Sequence, residues 1–148
     1  LELRPLFGKG LAMARPTNAL IVDDEPHVRA FVRLLLKEVG ITTTWEAGDG
    51  TQALAMVAEH NPELVLLDIN LPIMSGLEVL QLLHGQRPEL PVIMVSSQSA
   101  MKTVLECVNL GATAYILKHS PRTEALRMLT EALAGLEGED PEGRPDAG

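Results

Sequence analysis

A single cysteine, Cys107, rules out an internal disulfide, so the fold must stand on its own core. That residue sits in an amphipathic helical pattern, where a small packed thiol is the expectation rather than a reactive one. No apolar run approaches the ~20 residues a helix needs to cross a bilayer. The first sixteen residues, LELRPLFGKGLAMARP, have scattered charges and no unbroken apolar stretch, which excludes the pattern of a secretory leader. Basic residues are also short: Lys and Arg number 12 against 20 Asp and Glu, a net charge of −8. Nucleic-acid affinity rests largely on cations neutralising phosphates, so direct DNA binding by this chain is not expected. No internal repeat is present. What remains is an ordinary globular composition, 46% hydrophobic and 22% charged, long enough at 148 residues for one domain with a real core. A soluble, cytoplasmic protein is expected.

The chain reads as three parts. Residues 1–16 lack a period and carry Pro5, Gly8, Gly10 and Pro16, which marks a tail or an appended segment. Residues 137–148, EGEDPEGRPDAG, are rich in Gly, Pro and acid and read as a disordered tail or linker. Between them, residues 17–136 alternate between short apolar runs and helical periods. Ala19–Val22 is a buried-type strand running into Asp23-Asp24. Pro26 opens a helix with Val28, Phe31, Val32, Leu35, Leu36 and Val39 spaced by three and four, closed by Gly40. Ile41–Glu46 suits a strand. Asp49 with Gln52 resembles a capping box that starts a helix ending before Asn61-Pro62. Leu64–Leu67 is a strand that ends on Asp68, followed by a helix from about Gly76 to His84. Pro91–Ser96 is another strand. Met101, Val104, Leu105 and Val108 line one face of the next helix, which stops at Gly111. Thr113–Leu117 is a fifth strand, and a last helix runs from Pro121 to about Gly135, with Ala125, Leu126, Leu129 and Leu133 inward.

This order, strand and helix in alternation five times, predicts a parallel sheet covered by helices on both faces. Sites in such sheets form beyond the carboxyl ends of the strands. Those ends collect Asp23 and Asp24, Asp68, Ser96 and Ser97, and Lys118. Three carboxylates held together repel, each pair by about 4 kcal/mol at ~4 Å and an effective dielectric near 20. One lysine does not offset that. A hard divalent cation does, and Mg²⁺ takes one or two carboxylates while leaving room for a phosphate oxygen. A carboxylate in that setting is a competent nucleophile toward phosphorus.

Each residue alone has a plainer reading. Asp23-Asp24-Glu25-Pro26 can be a helix cap, Asp68 a turn former, Ser96 a loop hydroxyl and Lys118 a surface cation. Their joint placement at successive strand ends is what points to a site.

The four segments that carry it, LIVDDEP (20–26), LVLLDINLPIMSG (64–76), VIMVSS (92–97) and GATAYILK (111–118), resemble those of the receiver domain of two-component response regulators. That resemblance spans about residues 17–136. It implies a flavodoxin-like, doubly wound α/β fold with five parallel strands in the order 2-1-3-4-5. It further implies a domain phosphorylated by a sensor histidine kinase or phosphotransfer protein. By the same resemblance Asp68 is the phosphoacceptor. Asp24, Asp68 and the backbone carbonyl of Asn70 ligate Mg²⁺, with Mn²⁺ as the alternative ion, and Asp23 acts through water. Ser96 and Lys118 contact the phosphoryl group, and Tyr115 is the aromatic that turns inward when Ser96 moves. Phosphorylation then shifts the face made by the fourth helix, fifth strand and fifth helix, toward a second copy or a downstream output protein.

Two departures stand out. Lys118 is followed by His119-Ser120-Pro121 rather than directly by Pro, which resembles receivers that precede a helix-turn-helix output domain and makes a cis peptide there unexpected. Ser97 stands where a smaller residue is common, at the entrance that Gln98 and Asn70 also flank. A hydrolase with an aspartyl nucleophile would carry an acid two residues on. Asn70 cannot act as one, so turnover of an external substrate is not expected. The remaining alternative is a binding module independent of phosphorylation. Lys102, Glu106, Arg122 and Arg127 form either a charged partner face or a solvated surface.

Overall fold

The computed structural model describes residues 15–137. Residues 1–14 and 138–148, nearly all of the two expected terminal segments, lie outside the described residues. The elements alternate strictly: β1 (Asn18–Val22), α1 (Pro26–Glu38), β2 (Thr43–Ala47), α2 (Gly50–His60), β3 (Val65–Leu67), α3 (Gly76–Gln86), β4 (Val92–Ser96), α4 (Met101–Asn109), β5 (Ala114–Leu117) and α5 (Arg122–Leu136). All strands pair in parallel, in the order β2-β1-β3-β4-β5. This is the flavodoxin-like architecture expected.

The period of two along the strands divides the core in half. Leu20, Val22, Val65, Leu67, Val92 and Met94 point to one face, where Ala53 and Val57 of α2, Val79, Leu80 and Leu83 of α3, and Cys107 of α4 cover them. Ala19, Ile21, Leu64, Leu66, Ile93 and Val95 point to the other, under Val32, Leu35 and Leu36 of α1 and Ala125, Leu129 and Leu133 of α5. Both faces are sealed, which is why the central strands read as unbroken apolar runs.

Local signals set the helix ends. Pro26 begins α1, and Gly40 follows it at φ 94°, a left-handed angle that suits glycine. Asp49 caps α2 by accepting from the Gln52 N–H, as expected. The Gln52 amide oxygen, however, accepts from Gly48 N–H, so the box is displaced by one residue. A complete capping box does occur at α3, between Ser75 and Glu78.

The apolar stripe on α4 turns outward. Met101, Leu105 and Val108 are 68%, 53% and 54% exposed, Val104 is half-buried, and Cys107 alone is fully buried. The helix rests on the edge strand β5, and the inward position goes to the small thiol. Burial pushes that thiol's pKa up, as suits a packing residue. Among the described residues, no helix is long and apolar enough to cross a membrane.

Candidate functional site

Register places the acids side by side. Val22 pairs with Leu67 across β1 and β3, so the next residues, Asp23 and Asp68, leave the sheet together. The Asp68 N–H donates to the Val22 carbonyl and the Asp23 N–H to the Ala47 carbonyl, holding both at the strand ends. Leu117 pairs with Ser96, and the Lys118 N–H donates to the Ser96 carbonyl, which carries Lys118 to the same edge. Carboxylate oxygens of Asp23, Asp24 and Asp68 lie within 4.8 Å of one another.

Lys118 reaches into this cluster. Its Nζ stands 2.9 Å from Asp23 Oδ2, 2.9 Å from Asp68 Oδ2 and 3.4 Å from Glu25 Oε1. Burial works against the ammonium, yet its hydrogen bonds to Asp23 and Asp68 outweigh that and push its pKa up. At Asp68 the balance tips the other way. Burial raises its pKa, and the contacts with Lys118 pull back only part of the shift. Asp23 is fully engaged, because its Oδ1 also accepts from the Glu25 N–H. Asp68 is not: its Oδ1 is buried without a hydrogen-bond partner, alone in this among the described side chains. An orphaned buried carboxylate oxygen beside two further carboxylates is a hard-oxygen donor set suited to a divalent cation. The residues fit Mg²⁺ or Mn²⁺.

The loop after Asp68 is folded tightly beneath it. Gly76 N–H donates to the Ile69 carbonyl at 2.7 Å, and a Cβ on Gly76 would lie 1.9 Å from the Asp68 carbonyl oxygen. Only glycine allows that approach. Asn70 is exposed on this loop, and its Oδ1 accepts from Gln98 Nε2 at 3.0 Å. Gln98 is a junction. Its N–H donates to the buried Ser96 Oγ at 3.2 Å, and its carbonyl accepts from the Tyr115 hydroxyl at 2.6 Å. The Tyr115 ring is half-buried and packs against the core cluster of α2, α3 and α4. Burial raises the pKa of its hydroxyl, with the Ser96 side chain pulling the other way.

A family profile described as "Response regulator receiver domain" matches residues 19–130. The chain belongs to that family. A receiver domain protein (CheY-like) from Methanospirillum hungatei superposes with a TM-score of 0.74 at 30% identity, covering 84% of this chain and 99% of that one. Chemotaxis protein CheY from Pseudomonas aeruginosa is 35% identical over 101 residues, 67% of this chain and 82% of its own length. A putative transcriptional regulator from the same organism is 34% identical over 119 residues, 80% of this chain but 58% of its own. The receiver likewise spans only 45% of TcrX from Mycobacterium tuberculosis, a probable transcriptional regulatory protein. It thus covers about half the length of these regulators.

The receiver brings Asp23, Asp24, Asp68 and Lys118 into one cluster, and joins Asn70, Ser96, Gln98 and Tyr115 in a chain of hydrogen bonds beside it. Ser97 is exposed and lines a cavity of about 560 Å³ with Glu25, His27, Phe31, Lys118 and Arg122. The peptide bond after Lys118 is trans. Arg122 pairs with Glu38, and Arg127 pairs with Glu124 and Glu131, so two of the four surface charges singled out are engaged within the chain. Sequence reasoning missed Arg29 and Glu46. Arg29 Nη1 donates to the Asp23 carbonyl at 2.6 Å and its Nε to Glu46 Oε1 at 2.8 Å. The Glu46 partner lies on a different element, seventeen residues away, and no local pattern announces the pair.

Proposed function

We propose that this receiver accepts a phosphoryl group on Asp68 from a phosphohistidine of a sensor kinase or phosphotransfer protein, and that the modification switches its α4–β5–α5 face. The observation that carries the reading is the buried, unpartnered Asp68 Oδ1 within a cluster of three carboxylates. Burial and the nearby Asp23 charge keep that carboxylate poorly satisfied, and raise its reactivity toward an electrophile. In the transfer, an Asp68 oxygen attacks phosphorus as the donor's P–N bond breaks and the imidazole leaves with the electron pair. Asp24, Asp68 and the Asn70 carbonyl would hold Mg²⁺, with Asp23 acting through water; when bound, the ion offsets charge on the phosphoryl oxygens. Lys118 follows the phosphoryl group from its present place on the Asp68 carboxylate. The Ser96 hydroxyl donates to a second oxygen, giving up its contact with Gln98. Tyr115 reads that change through the Gln98 carbonyl.

The cavity bounded by His27, Phe31 and Ser97 opens beside Lys118, and supports an approach for the donor there. An inactive-to-active shift requires about 5 kcal/mol of differential interaction, part of it from the charge-assisted phosphoryl contacts. The domain itself turns over no external substrate and acts in the cytoplasm. Its net charge of −8 favours an output through a protein partner, or a second copy, rather than direct DNA contact by these residues.

Acetyl phosphate with Mg²⁺ tests the reading without the cognate kinase. Intact-protein mass should rise by one phosphoryl group that is labile to hydroxylamine, with no rise when EDTA is present during the incubation. No gain, or a gain that survives Asp68→Asn, would give the acidic cluster another role and favour a phosphorylation-independent binding module.

A further inference from the structure

We propose that Arg29 is a positioning residue for the acidic turn: by tying the Asp23 carbonyl to the Glu46 carboxylate on β2, it sets where Asp23 and Asp24 stand relative to Asp68. The guanidinium spans the two, 2.6 Å from the carbonyl and 2.8 Å from Glu46 Oε1, with its side chain only 19% exposed. Glu46 is braced in turn, since its Oε2 pairs with Arg33 from the next turn of α1. Arg29 and Arg33 hold that carboxyl low against the burial that would raise it, so it stays charged and the brace stays closed. A planar fork bonded to two acceptors restricts its partners more than a point charge does.

The turn has reason to need such a brace. Asp23 is already committed, through Lys118 and the Glu25 N–H. Among the described residues, none donates a hydrogen bond to the exposed Asp24 carboxylate, so its position follows from the backbone before it. That backbone is held on one side by the Asp23 N–H to Ala47 carbonyl bond and on the other by Arg29. Both contacts lead to adjacent residues of β2. The edge strand, which contributes no side chain to the carboxylate cluster, is therefore the anchor for two of the three acids.

A cation so near an acidic cluster has an opposite electrostatic effect. Removing it leaves the site more negative, which by charge alone tightens a bound divalent ion. Loss of positioning weakens it. The sign of the change separates the two.

The inference rests on the Mg²⁺ reading of the cluster for one readout and is independent of it for the other. The experiment compares the full chain with Arg29→Gln, with Arg29→Lys and with Glu46→Gln. The first readout is amide hydrogen exchange at Asp24 and Glu25 in metal-free protein, well below the unfolding temperature. The second is Mg²⁺ affinity by titration calorimetry. The inference expects faster exchange at that turn and affinity weakened by about tenfold in Arg29→Gln. Arg29→Lys keeps the charge but loses the fork, and should weaken affinity in the same direction; it also serves where Arg29→Gln does not fold. Glu46→Gln should give a smaller loss. Unchanged exchange, or affinity equal to or tighter than wild type in both Arg29 variants, overturns it, even if their thermal stability falls. Should the wild type itself take up no Mg²⁺, the acceptor reading fails, and exchange alone decides whether Arg29 holds the turn.

Discussion

Among the described residues Asp68 alone carries a buried side-chain oxygen with no hydrogen-bond partner, and its burial has a measurable consequence. Its pKa in the fold stands above the unfolded value near 3.8, chiefly through burial, so the folded state holds its proton more tightly than the unfolded state does. The sign follows by linkage. Nothing is lost below the unfolded pKa, and stability falls as pH rises through the folded value. Asp68→Asn should therefore be more stable than wild type at pH 7, with the advantage shrinking toward about pH 4; thermal midpoints across that range check it. Ile73 carries strain of another kind. It is a β-branched residue at φ 72°, with its side chain 81% exposed, in the loop between Asp68 and α3. A hydrogen bond from the Met74 N–H to the Pro72 carbonyl, 2.7 Å, closes a turn across it. Ile73→Gly should stabilise by about 1 kcal/mol, read by denaturant titration, because the left-handed angle suits glycine.

Among the elements, α4 shows where sequence patterning stops. The spacing of Met101, Val104, Leu105 and Val108 correctly marks a helix with an apolar face, but periodicity does not say what that face meets. Here it meets solvent, and Cys107 faces the core. Leu105→Ser should accordingly cost under about 0.5 kcal/mol, whereas Leu83→Ala, deep under the sheet, should cost about 2–5 kcal/mol. Chemical denaturation of both variants decides the contrast. Strands β1, β3 and β4 were legible because burial on both faces leaves apolar runs that end abruptly on polar residues, and the half-buried edge strand β5 because its apolar run lies between Gly111 and Lys118. The edge strand β2 is half-buried and was displaced in the reading by two residues at its start, Thr43 against Ile41. The capping glutamine at position 52 was read as a box because the one-residue shift to Gly48 depends on backbone geometry, not on residue type.

For the molecule as a whole, the acids and the lysine at the carboxyl edge were legible because topology converts strand ends into neighbours. What joins them was not. The Gln98 junction and the Arg29 brace each rest on backbone carbonyls, which carry no mark in a sequence. An acidic cluster retained by a chain of net charge −8 also predicts a global response to cations. Mg²⁺ at a hundred times its dissociation constant should stabilise the fold by about 2.7 kcal/mol, and Asp68→Asn should abolish most of that gain in thermal melts.

The central claim concerns one oxygen atom on one side chain, and reductive trapping addresses it most directly. Borohydride converts an aspartyl phosphate to homoserine, which peptide sequencing by mass spectrometry then locates. After treatment with acetyl phosphate and Mg²⁺, homoserine is expected at position 68. Its appearance at Asp23 or Asp24 instead, or its absence from the chain, would contradict the account.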